Sequence, residues 1–153
     1  MPSCCKQVRE FVDFGKHLHG KLKELYDDLN EHAQLERVKM LLDFLSRHEH
    51  HMEESLARFE KESRRGILEA WLEYSPGLDV EAAMNKFHLP ENPTSDEIIQ
   101  IALDFDDTLV NLYKEVAEKA NDSQTKAVFK NLLQLEEKEK IQVARAAMML
   151  WDM

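Results

Sequence analysis

Five ionisable side chains fall where a helix would otherwise bury an apolar one: His19, Glu49, Asp106, Glu136 and Glu139. A carboxylate in an apolar interior is costly unless something compensates it, and several together repel one another. Cations offset that cost. Carboxylates and imidazole around a dry interior suit iron, manganese or zinc, and two-metal carboxylate sites draw such ligands from facing helices. A second group is the run His48-Glu49-His50-His51. His48 and His51 are one helical turn apart and could chelate a metal with His17 or His19, although histidines on a charged helix more commonly face water. His17, two residues from His19, belongs to a different face and is expected in solvent.

An internal repeat brings four of them, His19, Glu49, Asp106 and Glu136, to one level, with Glu139 one helical turn beyond Glu136. Moving residues 18–58 by 87 positions onto 105–145 matches Leu22 with Leu109, Leu25-Tyr26 with Leu112-Tyr113, Glu31 with Glu118, Ala33 with Ala120, Lys39 with Lys126, Leu45 with Leu132, Glu49 with Glu136 and Ala57-Arg58 with Ala144-Arg145. These are ten identities in 41 positions without a gap. In the same register His19 is equivalent to Asp106, and Met52 to Glu139. Each copy reads as two amphipathic helices joined by a tight turn, so the chain is expected to be all-α: two repeated antiparallel hairpins closing into a four-helix bundle.

The first helix is expected from about Cys4 to Glu31, with Val8, Val12, Gly15, His19, Leu22, Tyr26 and Leu29 inward. The second runs from about Ala33 to Ser63, with Val38, Leu41, Leu42, Leu45, Glu49, Met52, Leu56 and Phe59 inward. The third opens on Ser95 as N-cap, with Asp96 and Glu97 in its first turn, and ends near Asn121. It buries Ile99, Ala102, Asp106, Leu109, Tyr113 and Val116. Asp122 or Ser123 caps the fourth, which turns Val128, Leu132, Glu136, Glu139, Val143, Ala147 and Leu150 inward.

Between the hairpins, residues 64–94 are too apolar for a floppy linker. The start of this segment is expected to continue the second helix until Ser75-Pro76-Gly77 breaks it, and Asp79 to cap a short helix through Phe87. A connection this long gives a crossover topology. The whole, 1–153, reads as a single domain with hairpins at 4–63 and 95–151 around the crossover at 64–94.

A net charge of −10, with 20 basic residues among 30 acids, excludes an extended phosphate-binding face, so no nucleic-acid partner is expected. No apolar run approaches a membrane span and no secretory leader is evident, which makes a cytoplasmic protein the expectation. The cysteines, Cys4-Cys5, are adjacent; such neighbours close no useful loop and make a strained disulfide. An incidental exposed pair is the simplest reading of them, with metal delivery or redox as the other.

The spacing of the repeated residues resembles the ferritin-like superfamily, especially its rubrerythrin-type branch. In each repeat of that family a metal-binding Glu is followed after seven residues by a Tyr in a Phe-Tyr-like pair, and 23 residues later by a Glu that opens Glu-x-x-His. The two copies read His19, Leu25-Tyr26, Glu49 with Met52, and Asp106, Leu112-Tyr113, Glu136 with Glu139. Only Glu49 and Glu136 match by residue type. The resemblance implies a di-iron carboxylate four-helix bundle with altered ligands.

Three arrangements of the altered layer stand side by side. His19, Glu49, Asp106, Glu136 and Glu139 form a non-standard metal site; or they satisfy one another and bind nothing; or the helix phase is shifted by one, so that His48 and His51 face inward in place of Glu49 and Met52. The leading expectation is a metal-binding protein, with iron first and manganese or zinc as alternatives. The resemblance implies oxidase or peroxidase activity toward dioxygen or hydrogen peroxide, with electrons from a separate donor. The other function class is a metal-free bundle acting as a homodimeric scaffold or adaptor, with Trp71, Tyr74, Phe87 and Trp151 as surface anchors. Tyr26 and Tyr113 are expected in the core with their hydroxyls hydrogen-bonded, and the seven methionines as packing.

Overall fold

Apolar side chains returning every three or four residues set the architecture of the computed structural model, which describes residues 5–74 and 76–151, the side chains of Leu150 and Trp151 excepted. Four long helices carry it: α1 (Val8–His32), α2 (Glu36–Glu62), and, after the short α3 (Arg65–Leu68) and α4 (Val80–Asn85), α5 (Ser95–Lys119) and α6 (Ser123–Trp151). α1 packs on α2 and α5 on α6 as two hairpins, joined through contacts of α2 with α5 and α6. The turns, residues 33–35 and 120–122, fall at matching places in the repeat. Residues 91–96 at the start of α5 line a cleft with Leu29, His32 and Val38 at the α1–α2 turn. α5 therefore starts at the end of the bundle opposite to where α2 finishes, and the crossover spans its length.

Several boundaries differ from the sequence reading. α1 starts at Val8 rather than Cys4, because Lys6–Gln7 (β1) pairs antiparallel with Trp71–Leu72 (β2) and the Val8 N–H donates to the Ala70 carbonyl at 3.0 Å. Glu10 accepts from the Gln7 N–H at 2.7 Å, satisfying a donor just outside the helix. Cys4, the hairpin's expected first residue, lies outside the described residues, as does Ser75 of the expected Ser-Pro-Gly break. α2 does not continue into the crossover: Ser63 and Arg64 are extended, with ψ of 148° and 138°, and the Ser63 hydroxyl donates to the Phe59 carbonyl at 2.7 Å. The N-cap of α5 is Thr94, not Ser95. Thr94 Oγ1 accepts from the Glu97 N–H at 3.2 Å and Glu97 returns the bond to the Thr94 N–H at 2.9 Å, a capping box. Asp122, rather than Ser123, caps α6 by accepting from the Thr125 N–H at 3.0 Å, and Asp79 caps α4 as expected, though α4 ends at Asn85.

The core follows the expected phase with small drifts. Ile98 and Phe129 are fully buried, whereas Ile99 and Val128 are half-buried. At 3.6 residues per turn, a face drawn through three- and four-residue steps shifts by one residue over several turns. Phe11 meets Phe129 edge-on at 5.4 Å, and Phe87 of the crossover meets Phe105 at 5.0 Å. Tyr74 packs half-buried on the core, with Lys119 4.3 Å above its ring. Of the expected surface anchors Trp71 is exposed, Tyr74 and Phe87 turn inward, and the Trp151 side chain lies outside the described set. No helix among the described residues is long and apolar enough to cross a membrane.

Candidate functional site

His19, Glu49, Asp106 and Glu136 each sit at or beside the midpoint of their helix, one from each of α1, α2, α5 and α6. Their exposures are 1%, 2%, 4% and 1%, so the repeat places a polar layer in the driest part of the bundle. Glu49 and Met52 both face inward, which removes the one-residue phase shift. The layer is built around His19. Its Nδ1 lies 2.9 Å from Glu49 Oε2 and its Nε2 3.0 Å from Glu136 Oε1. An imidazole can donate to two carboxylates at once only when both nitrogens carry protons. Burial pushes the His19 pKa down, but Glu136 and Glu49 together hold it well above the ordinary histidine value.

Asp106 is the incomplete member. Its Oδ2 is buried without a hydrogen-bond partner, and burial followed by repulsion from Glu49 and Glu136 raises its carboxyl well above the usual range. Burial likewise raises Glu49, opposed by His19. The tyrosine hydroxyls depart from expectation, since neither Tyr26 nor Tyr113 hydrogen-bonds through its buried oxygen. Both phenols are raised well above 10.0, by burial first and then by Glu49 and Asp106 for Tyr26 and by Glu136 for Tyr113.

Glu139, 7% exposed and one turn beyond Glu136, meets a different set of residues. Its Oε2 lies 3.5 Å from His48 Nδ1 and its Oε1 3.7 Å from His51 Nε2. The His48 side chain is only 7% exposed while that of His51 is 59% exposed. Burial, followed by the charges of His19 and His51, lowers the His48 pKa to about 4. His50 turns outward to Glu54 at 2.8 Å, and His17 is exposed as expected. The buried position of His48 has a sequence signal: Leu41, Leu45, His48 and Met52 form an unbroken four-three-four stripe.

The donor types fit a transition-metal ion, since carboxylates and neutral imidazole are common ligands of iron, manganese and zinc. Asp106 Oδ2 offers a buried lone pair with nothing to accept. The arrangement is not yet that of a bound ion: among the described residues, no three His, Cys, Asp or Glu side chains are gathered so as to hold a metal. His19 stands between the two glutamates as the layer's own cation, and a metal bound through either ring nitrogen would displace the proton there.

No protein-family model and no curated protein matches the sequence. Among solved structures, the chain is similar to a Thermotoga maritima protein assigned as a ferritin-like diiron-carboxylate protein, with a TM-score of 0.57 over 94% of this chain and 95% of that one, at 17% identity. A likeness at that identity is one of fold: the chain is an all-α bundle with the ferritin-like fold.

Proposed function

We propose that the buried layer binds a transition-metal ion, iron first, in a ferritin-like bundle of rubrerythrin type with altered ligands. One observation carries this: Asp106 presents a buried, unpartnered carboxylate oxygen to a layer that already holds Glu49 and Glu136 against one imidazole. Three carboxyls around a single His19 leave the layer short of positive charge. The lysine that acts on Asp106, Lys140, is ion-paired with Asp107. Glu49, Asp106 and Glu136 would hold the ion together with a His19 that has given up a proton, with Glu139 at the next turn.

Iron held there would supply one-electron chemistry toward dioxygen or hydrogen peroxide. The chain's own part is physical. Glu49 and Glu136 fix the His19 ring from both sides, Leu22, Leu109 and Leu45 exclude water, and the Tyr26 and Tyr113 hydroxyls supply protonated donors beside the carboxylates. The adjacent Cys4-Cys5 pair lacks the spacing of a rubredoxin-like module, so electrons would come from a separate donor.

A second reading has one observation in its favour. Because His19 reaches both glutamates, the layer can close with a proton in place of a metal. The chain is then a metal-free scaffold, with exposed Trp71 as an anchor for a homodimer. Tag-free protein loaded with ferrous iron under argon and desalted separates the two. The metal reading expects about one to two ions retained per chain, most of them lost in Glu49→Gln/Glu136→Gln. Iron retention equal in parent and variant would place the metal outside the layer.

A further inference from the structure

The outer face of α6 is apolar where the repeat makes a charged one the norm. Ile141, Met148 and Met149 are 51%, 68% and 73% exposed. At the 87-residue offset Ile141 stands where the first hairpin has Glu54, and continuing that offset puts Met148 and Met149 at Lys61 and Glu62, all three exposed on α2. The same position on the bundle is charged in one hairpin and apolar in the other. Residues 143–151 carry one charge, Arg145, although of residues 143–149 only Val143 and Ala147 are buried. A helix that is apolar on more than its core side needs a second surface to cover it. Charge accompanies the apolar positions on this face: at 3.6 residues per turn Gln134, Glu137, Ile141, Arg145 and Met148 lie on one side of α6, and all are exposed.

We propose that this face pairs with the same face of a second copy of the chain, α6 against α6, antiparallel about a two-fold axis at Ile141. Such an axis sets each residue a given number of places before 141 opposite the residue the same number of places after it. Ile141 then meets Ile141, Glu137 meets Arg145, and Gln134 lies along Met148. Glu137 and Arg145 make no ion pair within their own chain among the described residues, and eight residues of helix, about 12 Å, keep them from each other. The antiparallel pairing satisfies both charges twice, whereas parallel packing would set Arg145 on Arg145 and Glu137 on Glu137. Ala144, small and half-buried beside Ile141, lets the two helices approach, and Lys138 opposite it can lay its aliphatic stem across. The surface is distinct from that of Trp71, which pairs with Gln7 at the end of the bundle where α6 begins, while Met148 lies at the end where it finishes.

The pairing stands whether or not the buried layer takes metal, so it is measured in chelator. Sedimentation equilibrium of the tag-free full chain between about 1 and 200 μM should show monomer and dimer, with a dissociation constant at or below about 50 μM, as suits a small contact made by one helix. Ile141→Asp places like charges on the axis and should weaken the dimer at least about tenfold. Glu137→Arg and Arg145→Glu should each do the same, because each turns both cross-pairs repulsive. The double swap Glu137→Arg/Arg145→Glu should return the constant to within about threefold of the parent, and Trp71→Ala should leave it unchanged. All of these positions are exposed, and circular dichroism melts check that each variant is folded. A chain that stays monomeric at the highest concentration leaves the face to a different partner and overturns the proposal. So does a dimer that survives Ile141→Asp, a double swap no tighter than the single ones, or a dimer lost with Trp71→Ala.

Discussion

Gly15 lets α1 approach Tyr113, and the consequence can be worked out in numbers. A methyl group at Gly15 would overlap the Tyr113 hydroxyl oxygen and stand 3.0 Å from Leu56 Cδ1, but would lie an ordinary 3.7 Å from Tyr113 Cζ. Tyr113 is fully buried with its ring 6.0 Å from that of Phe129, so it cannot swing aside. Replacing a mid-helix glycine by alanine would by itself gain about 1 kcal/mol. Overpacking of this kind costs about 1–3 kcal/mol, and moving the Tyr113 ring raises it toward the upper end. Gly15→Ala should therefore destabilise the metal-free protein by ~1–2 kcal/mol. Tyr113→Phe removes both the overlapping oxygen and a buried hydroxyl without a partner, and should be neutral or stabilising by up to ~1 kcal/mol. In the double variant only Leu56 has to yield, so stability should return to that of Tyr113→Phe or exceed it. The coupling between the two positions is then ~2 kcal/mol. Urea unfolding of the four proteins in chelator, with the slope checked for constancy, measures it. A coupling below about 0.5 kcal/mol, or Gly15→Ala more stable than the parent, would refute the packing argument.

The remaining expectations concern charge and capping. Asp106, raised by burial and its carboxylate neighbours, binds its proton more tightly folded than unfolded, so metal-free stability should fall as pH rises from about 4 through its folded value. Asp106→Asn should remove that decline and be the more stable protein at pH 7, as thermal melts from pH 4 to 8 would show. The raised His19 acts in the same direction at higher pH: its contribution is complete below about 6.5 and lost as pH climbs through its folded value. His48 has the opposite sign. With its pKa lowered from 6.5 to about 4, its contribution is present above 6.5 and lost on acidification through about 4, amounting to ~3 kcal/mol at 1.36 kcal/mol per unit of pKa. His48→Gln should flatten that acid limb in urea titrations at pH 4 and 7. Thr94→Ala, which breaks the capping box of α5, should cost ~1 kcal/mol in the same assay.

The repeat made most of this legible because it is a statement about geometry. Once Leu25-Tyr26 matches Leu112-Tyr113 and Glu49 matches Glu136, equal helix phases put His19 and Asp106 at the same height, and all four lie at mid-helix. The features that escaped depend on distant chain or on rotamers. β1 exists only because residues 71–72 come back past the N-terminus, and nothing in Lys6–Gln7 announces it. Thr94 and Ser95 are both good caps; the reciprocal bond to Glu97 decides for Thr94 because three residues separate them. Ile98 for Ile99 and Phe129 for Val128 are one-residue errors of phase, small in sequence but decisive for which side chain fills the core. Residue types alone could mark His19 as a ligand, but not that its ring would lie between two glutamates, since that depends on three rotamers at once. Glu139 was legible as buried; its pairing with His48 and His51 required knowing that His48 continues the apolar stripe of α2.

The most direct test of the metal-binding layer is the melting temperature of tag-free protein at pH 7, with and without ferrous iron under argon, in the parent and in Glu49→Gln/Glu136→Gln. Ligand at 100 times its dissociation constant adds ~2.7 kcal/mol, which for a chain of this size raises the midpoint by about 5–10 °C. The layer reading expects that rise in the parent and most of it lost in the variant. Superimposable curves for the parent with and without iron, or an equal rise in both proteins, would contradict it.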